Sequence, residues 1–245
     1  MFKFRAPAKL TRVLQIASML ALAPLACAEP DLNGLWFPGG GPGQSPKEHP
    51  FTPQAKRWSD EYLAKFKVED DPGGWCVSPG LPRSIWGAPF PVEIVQTKDF
   101  INMFWEGYFQ YRKIYMEGRP RPEPILNTRM GYSVGHWEGN TLVVETRLLS
   151  EALYGRVPRT ETTVVVERFS KIKRSAVKLP NSPVATHKAI DDDVLALEIT
   201  TTDPTLYSKP IKTTVYHQHL EDNAMLEYVC ISDIWEQALD AANKK

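Results

Sequence analysis

The segment Gly131–Arg147, with the sequence GYSVGHWEGNTLVVETR, constrains the fold of this chain more than any other stretch. Two runs of apolar and β-branched residues flank the tripeptide Glu138-Gly139-Asn140. Tight hairpin turns require positive φ angles, which Gly and Asn tolerate better than other residues. The segment therefore predicts two antiparallel strands that are joined by a two-residue turn at Gly139-Asn140.

The N-terminus has the pattern of a secretory leader. A basic region is followed by the apolar run Val13–Leu25 and by the small-residue motif Ala26-Cys27-Ala28. We predict cleavage after Ala28 and a periplasmic or secreted location. The alternative is a lipoprotein acylated at Cys27, which is less favoured because Pro24 occupies the upstream position where an aliphatic residue is expected.

Cleavage of residues 1–28 would remove four basic side chains and no acidic ones, which leaves 25 basic and 29 acidic side chains and a net charge of −4. This balance argues against nucleic acid and anionic membranes, because both require a basic face. No later segment reaches the roughly 18 apolar residues of a membrane helix. We therefore expect a small-molecule partner, no nucleic acid, and no membrane association after cleavage. The oligomeric state is open.

Two cysteines remain after leader cleavage, Cys76 and Cys230. An even pair in an oxidising compartment predicts a disulfide rather than two free thiols. The bond would tie the N-terminal loop region to the last predicted strand.

A single helix is predicted ahead of a series of strands. Thr52 can cap the helix and Pro53 suits its first position, and an apolar stripe runs at helical spacing to about Lys67. Strand patterns then follow at Val92–Thr97, Phe100–Trp105, Tyr108–Tyr115, the two arms of the central hairpin, Thr160–Phe169, Val194–Thr201, Ile211–His219 and Met225–Ile231. The polar stretch Ser170–Asp193 is predicted to be an exposed loop.

Short connections without helices favour an antiparallel up-and-down meander that closes into a lipocalin-like β-barrel, with a β-sandwich as the alternative. We predict that residues 29–91 form loops and the helix packed on the barrel. Residues 92–235 would form the barrel itself, and residues 236–245 a tail.

Several motifs resemble those of a large family of secreted bacterial proteins whose activity is uncharacterised. They are GLPR at 80–83, VEIVQT at 92–97, GRP at 118–120, MGYSVGHWEGNTLVVET at 130–146 and EYVC at 227–230. The resemblance covers nearly all of the chain after the leader and implies a lipocalin-like barrel. Some members of that family carry sugar-phosphate dehydrogenase labels, but this sequence has no dinucleotide-binding pattern.

The register of the hairpin predicts a catalytic cluster. His136 would lie opposite Val143, and Glu145 opposite Val134, so that the imidazole and the carboxylate are diagonal neighbours on one face. In a pocket, His136 could act as a general base that Glu145 orients, while Tyr132 holds a substrate oxygen. The alternative is that this face is the solvated side of an amphipathic hairpin. The sequence does not decide which face points inward.

The strand with the sequence YFQYRKIY offers candidate substrate contacts. Aromatic side chains with polar tips line pockets for ring-shaped molecules, although they are also ordinary barrel-wall residues. We predict substrate contacts from Tyr108, Tyr111 and Arg112, together with Trp105 on the preceding strand and His217 on a later one.

Four arginines are predicted to lie in loops: Arg83, Arg119, Arg121 and Arg129. Such side chains could clamp a carboxylate at the mouth of the barrel, because a guanidinium binds a carboxylate with two parallel hydrogen bonds. The alternative is that all four are solvated loop residues.

His217 and His219 are two residues apart on one strand and would point to the same side, a spacing that occurs in metal sites. His49, His136 and His187 are scattered, so a full ligand set is not evident and no metal is predicted. The sequence also lacks a phosphate-binding loop, a nucleophile elbow and a zinc-peptidase helix. We therefore expect no cofactor.

Two functions remain open from the sequence. The first is a cofactor-independent acid/base enzyme of the lyase, isomerase or hydratase type that acts on an apolar or aromatic compound. The second is a non-catalytic lipocalin-like carrier of such a compound. The ionisable residues on one face of the hairpin favour the enzyme, whereas the fold by itself does not give a function.

Overall fold

A computed structural model describes residues 29–38, 49–67, 70–86, 90–124, 126–153, 157–177, 179, 189–220, 225–228 and 230. These residues form a closed barrel of nine strands. The strands are β1 (Gly34–Pro38), β2 (Val92–Gln96), β3 (Phe100–Trp105), β4 (Gln110–Met116), β5 (Tyr132–Glu138), β6 (Thr141–Arg147), β7 (Val164–Lys173), β8 (Ala189–Thr202) and β9 (Ile211–Leu220). The predicted leader and the predicted tail at 236–245 lie outside the described residues.

The closed, mainly β barrel confirms the predicted fold class, with three differences in detail. β1 pairs with both β2 and β9, so the barrel begins within the segment that was predicted to pack on it. β4 and β5 are parallel, because the connection at 117–131 returns the chain to the end from which β4 started. Residues 225–228, where a last strand was predicted, carry no strand.

Two further boundaries differ from the prediction for local reasons. Thr160 and Thr163 precede β7 instead of belonging to it, because both side chains donate to the Asp203 carboxylate. The stretch Ser170–Asp193 is not a loop throughout, since its first residues extend β7 and its last residues belong to β8.

The predicted helix α1 (Pro53–Lys65) is present. The Thr52 hydroxyl accepts a hydrogen bond from the Ala55 amide at 3.2 Å, which satisfies one of the free N–H groups of the first turn. A second, short helix, α2 (Arg83–Trp86), lies where coil was expected. Its Ser84 hydroxyl donates to the side chain of Gln110 at the start of β4, so α2 lies at the end of the barrel where β2, β4, β5, β7 and β9 begin. We call this the α2 end.

The interior of the barrel contains a packed apolar cluster. Its largest fully buried members on the strands are Trp36, Ile94, Ile101, Ile114, Leu142, Phe169, Leu195 and Leu197. Burial of each such side chain contributes about 1.5–3 kcal/mol. The same interior holds an ion pair between Arg112 on β4 and Glu167 on β7.

The predicted disulfide between Cys76 and Cys230 is present, with the two α-carbons 5.5 Å apart. It joins the loop that follows a short 3-10 turn at Pro72–Trp75 to a segment that lies beyond β9. Tyr228 in that segment packs its ring against Phe90 and Tyr108. The covalent link therefore fixes the 70–79 loop at the α2 end of the barrel.

Candidate functional site

The hairpin has the predicted register, but its predicted catalytic face points outward. His136 lies opposite Val143 and Glu145 lies opposite Val134. The side chains of His136 and Glu145 are 45% and 49% exposed. The inward positions of this hairpin belong to small or apolar residues such as Ser133, which is why the polar face meets solvent.

The ion pairs on this outer face also differ from the predicted arrangement. His136 Nε2 lies 3.2 Å from Glu138 Oε1, whereas Arg147 donates to Glu145 at 2.6 Å. The Tyr132 hydroxyl donates to the Pro122 carbonyl at 2.6 Å. The expected general base with its orienting carboxylate in a pocket is therefore not formed, and the solvated alternative describes this face.

The five predicted substrate contacts do not come together in one pocket. Trp105 and His217 are buried inside the barrel, and Arg112 is bound to Glu167 there. Tyr111 lies on the outer face, where it is 45% exposed. The Tyr108 hydroxyl donates to the Gly73 carbonyl at 2.6 Å, which makes it a tether for the 70–79 loop.

His217 and His219 point to the same side of β9, as their spacing predicted, and both face the interior. His219 stacks on Trp36 with ring centroids 4.6 Å apart, and its Nδ1 lies 3.0 Å from Asp191 Oδ2. Within the described parts of the chain, no group of three or more His, Cys, Asp or Glu residues could hold a metal ion.

A cavity of about 220 Å³ lies at the α2 end. Four stretches of the chain line it: the loop residues 72, 73 and 77–79, Arg83 of α2, Arg129 ahead of β5, and the residues Glu151, Ala152, Val157 and Arg159 between β6 and β7. Three of the lining residues are arginines and one is a carboxylate. We call this space the arginine cavity.

Arg159 is the most buried of the three arginines, with 1% of its surface exposed. Its Nε donates to the Ser150 carbonyl at 2.8 Å and its Nη1 to the Pro79 carbonyl at 2.6 Å. Its Nη2 is buried and has no hydrogen-bond partner. Burial and the neighbouring charge of Arg129 lower the pKa of Arg159 to about 10, so the guanidinium remains cationic at neutral pH.

The backbone around Arg159 is held from both sides. Arg159 and Ala152 exchange two backbone hydrogen bonds of 2.9 Å. On the other side, the Asp203 carboxylate accepts hydrogen bonds from the Thr160 amide at 3.0 Å and from the Thr163 hydroxyl at 2.6 Å. Burial raises the pKa of Asp203, but these hydrogen bonds outweigh it and leave the pKa below its ordinary value. The site is therefore preorganised by contacts between distant segments.

Arg129 and Arg83 lie closer to solvent than Arg159. Arg129 Nη1 donates to the Ser78 carbonyl at 2.9 Å, and its own carbonyl accepts from the Leu81 amide at 3.0 Å. Gly80 has a φ of +66°, and a β-carbon there would collide with the Arg129 carbonyl oxygen, so this close approach requires glycine. Arg83 Nη1 binds both oxygens of Asp71, at 2.7 and 2.9 Å.

The charges at the arginine cavity favour an anion. Asp71 already offsets the charge of Arg83, and Glu151 lies exposed on the lining. Arg159 and Arg129 then supply the remaining positive charge. A buried charged donor without a partner is costly, and a carboxylate or phosphate oxygen is the acceptor that a guanidinium binds best.

Two of the four arginines that were considered for a carboxylate clamp line this cavity, although Arg83 lies in α2 and not in a loop. Arg83 and Arg129 line the cavity, whereas Arg119 lies 3.6 Å from Asp99, with a side chain that is 43% exposed. Arg159 was not predicted as a site residue, because in the sequence it directly precedes the predicted strand Thr160–Phe169. Its position between Pro158 and a threonine-rich segment gave no sign that its side chain would be buried.

No protein-family model matches the chain, and no curated protein is similar enough to it to be matched. In the portion of the chain that the structure describes, no helix has the length and apolar character to cross a membrane.

Proposed function

We propose that this protein is an exported barrel that binds a small organic anion, with a carboxylate as the first expectation, in the arginine cavity. The observation that carries this proposal is the buried guanidinium of Arg159, which lines the cavity and has one nitrogen without a partner. An oxygen of the anion would satisfy that donor. Arg129, nearer to solvent, would supply a second charge-assisted hydrogen bond.

Export is supported by the leader pattern of residues 1–28 and by the pairing of Cys76 with Cys230. Disulfides persist in the periplasm and outside the cell, whereas cytosolic thiols are kept reduced. The proposed ligand is therefore a compound of the periplasm or of the medium.

A carrier is the function that this geometry supports best. The enzymatic hypothesis depended on His136 as a general base beside a bound substrate, and the imidazole lies on the outer surface instead. At the arginine cavity, the groups that would contact the anion are guanidinium groups, which remain protonated at neutral pH and act as fixed donors. Such groups bind and orient an anion.

The test is isothermal titration calorimetry of the wild-type protein with benzoate, acetate and inorganic phosphate, and with benzamide as the neutral analogue. We expect saturable binding of one carboxylate per chain, weakened by added salt because the interaction is electrostatic. Arg129→Gln should weaken it by about two- to fivefold, since this side chain is exposed. Arg119→Gln removes the same charge away from the cavity and serves as the matched control.

Two outcomes would contradict the proposal. One is the absence of saturable binding for every anion of the panel at low salt. The other is equal binding of benzoate and benzamide, which would show that the negative charge is not recognised.

A further inference from the structure

A second, larger cavity adjoins the arginine cavity. It has a volume of about 580 Å³ and lies along α1, where its lining includes Trp58, Tyr62 and Phe66, together with Leu153 from the segment after β6. Trp58 and Tyr62 lie four residues apart on α1, which aligns their side chains on one face of the helix, and Phe66, directly after the last helical residue, stacks on Tyr62. We call this space the aromatic groove.

The two cavities are neighbours. Pro72 lines both of them, and Leu153 of the groove directly follows Ala152 of the arginine cavity in the chain. Burial raises the pKa of the Tyr62 hydroxyl, and the charges of Asp71 and of Arg83, which lines the arginine cavity, also act on it. Pro72 is therefore a common boundary of the two spaces, and a ligand that extends around it would occupy both.

The apolar side chains of the groove are unusually accessible for their type. Trp58 is 37% exposed and Phe66 is 41% exposed, although Tyr62 and Phe66 stack with ring centroids 4.9 Å apart. Lys65, Glu61 and Asp70 complete the lining. An exposed aromatic surface with a polar rim is the arrangement of ligand-binding grooves.

We infer that the ligand is an amphiphilic acid. Its carboxylate binds in the arginine cavity, and its aromatic or long apolar body lies in the aromatic groove against Trp58, Tyr62 and Phe66. This inference rests on the proposed function and narrows it to a class of ligand. The volumes of the two cavities support this placement of the two parts of the ligand. The arginine cavity, at about 220 Å³, suits an anionic group alone, whereas the aromatic groove, at about 580 Å³, lies within the range of whole small-molecule sites.

The experiment compares three compounds by NMR titration: acetate, phenylbutyrate and phenylbutyramide. The first has the acid without the body, the second has both, and the third has the body without the charge. We expect phenylbutyrate to bind at least about tenfold more tightly than acetate, because burial of a phenyl group contributes about 1.5–3 kcal/mol. Phenylbutyramide should bind more weakly than phenylbutyrate.

Variants of α1 then locate the apolar body. Phe66→Ala should move the ratio of phenylbutyrate to acetate affinity towards one. The matched control is Leu63→Ala, since Leu63 lies in the last turn of α1, close to Phe66 in the chain, is 63% exposed and does not line the groove, and this variant should keep the wild-type ratio.

The possible failures are distinguishable. If phenylbutyrate and acetate bind equally, or if Phe66→Ala and Leu63→Ala give the same ratio, the groove does not hold the ligand and this inference is overturned while anion binding stands. If neither acid binds to the wild-type protein, the proposed function itself is contradicted. If phenylbutyramide binds as tightly as phenylbutyrate, the groove acts without the arginine cavity, and the inference is also overturned.

Discussion

Arg112 on β4 and Glu167 on β7 form a bidentate ion pair inside the barrel, although β5 and β6 lie between their strands in the sheet. Both side chains are almost fully buried, with 1% and 0% of their surface exposed. Arg112 also donates to the Ser133 hydroxyl at 2.8 Å and to the Thr146 hydroxyl at 2.6 Å. The network thus connects β4, β5, β6 and β7, including the parallel pair.

Replacement of Arg112 by Met is expected to lower the free energy of unfolding by roughly 3–5 kcal/mol, because it leaves the Glu167 carboxylate buried without its partner. Urea denaturation of the wild-type and variant proteins measures the loss.

The double variant Arg112→Met/Glu167→Leu serves as the control. It should recover much of the loss, since paired removal of buried charges is often close to neutral. If the single and double variants were equally unstable, the penalty would come from packing and not from the unpaired charge.

The buried imidazole of His217 predicts a pH-dependent stability. Burial lowers its pKa from 6.5 to about 4, and its strand neighbours Leu195 and Pro38 are apolar. Between these pH values the unfolded chain binds a proton that the folded protein does not bind. The free energy of unfolding should therefore fall by roughly 3 kcal/mol as the pH decreases through this window.

His217→Leu should give a flatter profile than the wild type over the same window, measured by denaturant titration at several pH values. His136→Gln, at an exposed position, controls for the loss of a histidine. Parallel profiles for the wild type and His217→Leu would show that another group titrates.

The disulfide between Cys76 and Cys230 spans 154 residues of chain. On the chain-entropy model, closing such a loop stabilises the protein by at most ~5 kcal/mol. We expect Cys76→Ser/Cys230→Ser to melt at a lower temperature and to bind carboxylates more weakly, because Val77 and Ser78 of the tethered loop line the arginine cavity. Differential scanning fluorimetry and titration measure the two effects. An unchanged mass of the wild-type protein on reduction would show that the bond is absent.

Local rules were sufficient for the elements that depend on neighbouring residues. The Thr52-Pro53 start of α1 and the hairpin register that places His136 opposite Val143 were both correct. Local rules could not predict which face of the hairpin points inward, because the alternation of side chains along a strand defines two faces without choosing between them. The choice depends on distant contacts: a β-carbon at Gly135 would lie 2.9 Å from Ile114 Cγ2, so this inward position has room only for glycine.

The arginine cavity was predictable only in part for the same reason. Arg83 and Arg129 were recognisable as candidate anion contacts, although Arg83 lies in α2 and not in a loop. The burial of Arg159 depends on the Asp203 carboxylate, on the Ser150 carbonyl and on Pro79, which are separated from it by 9 to 80 positions. No local sequence pattern encodes contacts between residues that are so far apart in the chain.

The most direct test of the account is the affinity of a small carboxylate for Arg159 variants. Calorimetric titration with benzoate should show a loss of roughly tenfold or more for Arg159→Gln, because a buried charge-assisted hydrogen bond contributes about 1.5–3 kcal/mol. Arg159→Lys, which keeps the charge but lacks the planar guanidinium group, should bind benzoate with an affinity between those of the wild type and Arg159→Gln. Circular dichroism verifies that both variants are folded. If folded Arg159→Gln bound benzoate as tightly as the wild type and Arg119→Gln, the arginine cavity would not be the binding site.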